Sequence, residues 1–115
     1  MKFLLALSFI FSVSFSQAQD IEPAYEKSGD EVKVTYFYNN GSVKQQGFFK
    51  NKKLTGTWTS FDVNGNKTAI AHYKAGKKVG KWFLWQGDLL REINYENNVV
   101  ASVQNWKEDN NLAKN

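Results

Sequence analysis

From Val32 onward, apolar and polar residues alternate in short runs, and each run ends in a cluster of glycine, asparagine or aspartate. Val32-Lys-Val-Thr-Tyr-Phe-Tyr38 opens the series with the β-branched and aromatic residues of a strand. The punctuation that follows is regular. Asn40-Gly41 and Asn64-Gly65 are hairpin signals, since both residue types tolerate positive φ, and Gly87-Asp88 is the two-residue variant with glycine first. Read as two-residue loops, these turns set the register: paired residue numbers add to 81, 129 and 175 in three successive hairpins. The opposite ends connect through Lys50–Thr55 and Ala75–Val79, where sums of 105 and 153 keep the strands in step.

Carried across the sheet, these registers give one row of Val34, Gly47, Trp58, Ala71, Trp82 and Ile93, joined by Trp106 if the last turn falls near Val99-Val100. Indoles alternate with small residues. The next row on the same face reads Val32, Phe49, Gly56, Tyr73, Gly80, Tyr95, so aromatic rings cover the bare backbone of strand glycines. A third row, Tyr36, Gln45, Ser60, Ala69, Leu84, Arg91, is mixed. On the other face Phe37, Phe61, Trp85 and Leu90 share a row with Lys44 and Thr68, and Ile70 and Phe83 share another with Thr35, Gln46, Thr59 and Glu92. One greasy face and one wetter face predict an all-β, single-layer antiparallel meander of stacked hairpin repeats, about seven strands between Glu31 and Lys107.

The chain also repeats itself. Gly41/Gly65, Phe49/Tyr73, Gly56/Gly80, Trp58/Trp82 and Phe61/Trp85 all lie 24 residues apart. Gly56-x-Trp58-x-x-Phe61-x-x-x-Gly65 and Tyr73-x-x-Gly76-x-x-x-Gly80-x-Trp82-x-x-Trp85 resemble the MORN repeat, in the bacterial variant sometimes attached to antitoxin-type proteins. The resemblance runs from Val34 to about Val100 and implies consecutive hairpins in one elongated sheet, with a link to membranes. The last unit departs from it, because Tyr73 to Tyr95 is 22 residues and Asn98 stands where Gly76 leads one to expect glycine. That is the pattern of a terminal capping unit.

The two ends read differently. Lys2, the uncharged run Phe3–Phe15 and the small residues Ser16 and Ala18 form a signal peptide, 1–18, cleaved after Ala18. Thirteen residues are too few to span a bilayer comfortably. Residues 19–30 read as a polar N-terminal arm with a turn at Lys27–Asp30, 31–107 as the β-repeat domain and 108–115 as a flexible tail. The expected product is exported, periplasmic or extracellular. The full chain has 15 Lys and Arg against 11 Asp and Glu; losing Lys2 leaves 14, a mild charge of about +3. Without cysteine there is no disulfide framework, thiolate metal site or lipidated cysteine.

The chemistry is thin. His72 is the only histidine and reads as a solvated strand residue, so no metal or other cofactor is expected. Ser42, Ser60 and Ser102 lack a nucleophile-elbow motif, and Gly76-Lys-Lys-Val-Gly80 is not a phosphate loop. The favoured reading is a non-catalytic binding or scaffold module. The alternative is a small enzyme or enzyme-associated subunit, such as a chain labelled nucleotidyltransferase, although neither its histidine motif nor an α/β alternation is present.

Two surfaces are candidates for binding. The aromatic face, with Trp58, Tyr73, Trp82 and Tyr95, needs a cover: the arm around Ile21 and Tyr25, a second copy, or another protein. The basic edge gathers Lys50, Lys52 and Lys53 from one connection with Lys74, Lys77, Lys78 and Lys81 from the next. It is either a solvated loop end or a weak contact for anionic lipid, acidic polysaccharide or an acidic protein patch. Nucleic acid is not expected as a partner of an exported chain.

Overall fold

The computed structural model describes residues 20–107, and throughout that span the chain is strand and turn. The strands, in chain order, are β1 Ala24–Ser28, β2 Glu31–Phe37, β3 Val43–Lys50, β4 Lys53–Phe61, β5 Lys67–Lys74, β6 Lys77–Lys78, β7 Gly80–Gln86, β8 Leu89–Glu96 and β9 Val99–Lys107. They make one antiparallel sheet ordered β9-β8-β7-β5-β4-β3-β2-β1, with the short β6 also pairing β5. This is the expected meander, with nine strands in place of seven. One addition is β1, which lies in the stretch read as an arm but pairs with β2 from Ala24↔Thr35 to Ser28↔Glu31. The other is β6, which forms within Ala75–Val79, the stretch read as a connection, and is set apart from β7 by a bulge. The expected signal peptide and tail lie outside the described residues.

Most of the register follows the turn arithmetic. Val34 faces Gly47, Trp58 faces Ala71 and Trp82 faces Ile93. Two corrections arise at the opposite ends. Gln46 faces Thr59 as expected, but Phe48 faces Thr55, so β4 carries two extra residues around Gly56, whose φ is +70°. The same step recurs one repeat later: Ile70 faces Phe83, Tyr73 faces Lys78, and Gly80 takes φ +71°. Phe49 therefore lies beside Leu54 rather than Gly56. Glycine at positive φ makes the bulge in each unit, because a Cβ there would clash with its own backbone.

The bulges shorten the connections to two-residue turns with both central residues left-handed: Asn51-Lys52, Ala75-Gly76 and Asn97-Asn98. That is the hairpin turn whose twist matches the strands it joins. The last of them also moves Trp106. The turn falls at Asn97-Asn98, not near Val99-Val100, so Trp106 faces Leu90 on the wetter face, and Val103 takes the place beside Ile93. At the other end the Asn-Gly pairs do not form two-residue loops. Gly41 N–H donates to Tyr38 O and Gly65 N–H to Asp62 O, leaving each glycine as the left-handed residue after a tight turn.

Among the described residues the buried side chains are those of Val34, Trp58 and Ala71, and Gly47 is buried with them. Tyr36, Phe49, Leu54, Tyr73 and Trp82 pack around them, half-buried, on the same face. The wetter face is held by polar cross-strand pairs: Gln46 to Thr35, Thr57 with His72, Asn94 to Ser102 and the Lys81–Glu92 ion pair. Successive units are also stitched at the turns. Gly76 N–H donates to Leu54 O and Asn98 N–H to Lys78 O, both at 2.9 Å, the same bond one unit apart.

Candidate functional site

The aromatic face is a continuous ladder of rings. Phe49, Trp58, Tyr73, Trp82 and Tyr95 follow one another with centroids 5.3, 6.4, 5.2 and 5.0 Å apart, and the first three contacts are edge-to-face. Such contacts add roughly 0.5–1.5 kcal/mol each beyond burial. Both indoles are fixed at their polar end by the same bond: Trp58 Nε1 donates to Phe48 O and Trp82 Nε1 to His72 O, each at 3.1 Å. Trp58 lies flat on Gly47, where a Cβ would come within 1.9 Å of the ring.

This geometry divides the four aromatic candidates. Trp58 is 5% exposed and belongs to the core, so what it offers a ligand is support for its neighbours. Tyr73, Trp82 and Tyr95 are half-buried and present part of each ring to solvent. Burial, with the nearby Tyr95 phenol, pushes the Tyr73 phenol up and keeps it neutral. In the second unit Lys78 stands where Leu54 stands in the first. Its ammonium sits 5.2 Å from the centroids of both Trp82 and Tyr95, a cation placed over two ring faces.

Toward β2 the face deepens into a groove of about 790 Å³, lined by Tyr36, Gln45, Phe49, Leu54, Trp58 and Tyr73 and walled by Asp20, Ile21 and Pro23. The N-terminal segment thus covers one end of the ladder, while Tyr25, the other expected cover, stays 67% exposed. Phe49 was placed on this face by its row in the sequence, whereas Tyr36 and Leu54 had not stood out. Tyr36 falls in a mixed row, and Leu54 joins the face only through the bulge at Gly56.

The basic edge forms at the end of the sheet that carries the two-residue turns. Lys50, Lys53 and Lys74 line a shallow pocket of about 430 Å³ with Asn51, Thr55 and Ala75. The seven lysines are not equivalent. Lys50 pairs with Asp30 at 3.5 Å, Lys81 pairs with Glu92 at 3.6 Å, and Lys78 is spent on the rings. Lys52, Lys53, Lys74 and Lys77 make no ion pair among the described residues. His72 Nδ1 lies 3.2 Å from Thr57 Oγ1 on the exposed wetter face. Among the described residues no group of three His, Cys, Asp or Glu side chains is placed to hold a metal, and no helix is long and apolar enough to cross a membrane.

A family model described as a MORN repeat variant matches residues 30–51 and 54–75. No curated protein and no solved structure matches the chain. The matched residues run from the turn before β2 to the turn after β5 and include Gly47, Trp58 and Tyr73. MORN repeats are a non-enzymatic repeat type generally associated with binding and with membrane or protein interaction. The hairpin unit, its recurring bulge and these two matches show that the chain carries MORN repeats of this variant, at 30–51 and 54–75.

Proposed function

We propose that this protein is a non-catalytic module that holds a segment of a partner protein against its aromatic face. The observation that carries the reading is the half-exposed ladder from Phe49 to Tyr95, ending in a groove on a sheet with one layer. A one-layer sheet leaves such a face open unless something docks on it, and rigid aromatic side chains lose little conformational entropy when covered. Tyr73, Trp82 and Tyr95 form the contact surface, Trp58 its foundation. The leader-like segment 1–18 further supports export, with the partner in the same envelope or extracellular compartment.

The test compares proteins retained from an envelope extract by the wild-type chain and by a Tyr73→Ser/Tyr95→Ser variant. A retained species lost from that variant, but kept by Lys52→Glu/Lys74→Glu, supports the aromatic face. Equal retention by the Tyr variant sinks it.

The open pocket at Lys50, Lys53 and Lys74 favours a second, weaker reading, contact with an anionic surface ligand. Binding to anionic vesicles would then fall steeply between low and physiological salt, and fall further in Lys52→Glu/Lys74→Glu.

A further inference from the structure

The two edges of the sheet are built differently. β1 is five residues long, follows Pro23 and carries Glu26 and Lys27, features that discourage a further strand from pairing. β9 follows no proline and carries a single charge, Lys107, at its last position. It is nine residues long, exposed along its whole length and uncharged from Val99 to Trp106. Val99 is 65%, Val103 52% and Trp106 37% exposed. Its irregularity lies near the start, at Ala101, and leaves Ser102–Lys107 in unbroken register with β8. Among the described residues no strand occupies its outer side.

We propose that β9 is an interface on which the β9 strand of a second copy pairs antiparallel, joining two sheets into one. The asymmetry of the edges argues for a second copy. With one open edge and one blunted edge, head-to-tail growth has no second site, and the arrangement left is a closed two-fold pair. The charges argue for the antiparallel direction. β9 starts at the lysine-bearing end, so a two-fold axis normal to the sheet sends the two basic ends to opposite ends of the joined sheet. Parallel pairing would set them side by side. With the axis near Gln104, Trp106 of each copy faces Ser102 of the other, and the two Lys107 side chains stay apart. Trp106 then gains cover that β8 alone does not give it.

The interface is separate from the aromatic ladder, which it leaves open on both copies. Sedimentation equilibrium on the chain lacking residues 1–18, together with the full-length form, reads the association. The expected result is a monomer–dimer equilibrium that Val103→Lys weakens several-fold, because a lysine on an edge strand discourages a further strand and the two new charges flank the axis. Tyr73→Ser/Tyr95→Ser leaves it unchanged. The absence of native cysteine allows a second measurement. Single cysteines at 103, 104 and 105 are oxidised in turn, with Ser28→Cys on β1 as the control. At least one of the three forms a disulfide-linked dimer faster than the control, since residues facing across a two-fold strand pair lie within disulfide reach. A chain monomeric at all concentrations, a dimer unaffected by Val103→Lys, or cross-linking no faster than at residue 28 would each overturn the proposal.

Discussion

Gly47 lacks a side chain because the Trp58 indole takes the space: a Cβ would sit 1.9 to 2.4 Å from three ring atoms. The contact lies in the interior of the ring, not at a flexible end, so the whole indole would have to lift off the strand. Gly47→Ala is therefore expected to destabilise the sheet by about 3 kcal/mol, at the upper end of overpacking costs, read from the urea midpoint. Gly65 supplies the comparison. Its φ is +92° and nothing lies within 4 Å of its Cβ position, so Gly65→Ala meets backbone strain alone, about 1 kcal/mol. Both glycines were visible in the sequence, and the pairing of Gly47 with an indole was readable from the row they share. What could not be read was that Trp58 is core rather than surface. Burial of that ring depends on Phe49 and Leu54 closing around it, and Leu54 arrives there only after the strand has bulged.

The turns show the same division between what spacing dictates and what side chains decide. Register sums in the three hairpins were legible, because strand period is two and the glycines mark the loops. The type of turn was not, since Asp62 competes for the backbone. Its Oδ1 accepts the N–H groups of Asn64 and Asn66 at 2.9 Å, which favours the longer loop with Gly65 left-handed at its end. The Asn66 N–H, foremost, holds the Asp62 carboxyl below the usual aspartate range. Since the folded value is depressed, the support is present at neutral pH and fades as pH falls through that lowered value. The Asn66 amide proton should titrate with a midpoint below that of an unperturbed aspartate, and Asp62→Asn should abolish the transition. The two-residue turn of the first unit offers a test of the opposite sign. Lys52 is held at φ +65° after Asn51, where Asn-Gly is the preferred pair. Lys52→Gly should raise the urea midpoint, by about 0.5 kcal/mol once glycine's greater unfolded-state freedom is offset.

Across the whole molecule, stability has to vary from the middle of the sheet to its edges, because each strand is buried only by its lateral neighbours. Val34, Trp58 and Ala71 lie on β2, β4 and β5, and the buried cluster does not reach β8 or β9. Stacked repeats couple to nearest neighbours, so local opening starts where one neighbour is missing. Amide exchange should be slowest for the hydrogen-bonded amides of β3 to β5, faster in β7 and β8, and fastest in β9 and β1 of the isolated chain. A sheet that opens as one unit would instead give a single protection level across all strands. The gradient also responds to concentration in a way that separates the two edges. If β9 pairs with its copy, its outward amides gain protection as the chain is concentrated, while those of β1 keep their rate. Val103→Lys removes the gain in β9 and leaves β3 to β5 as they were.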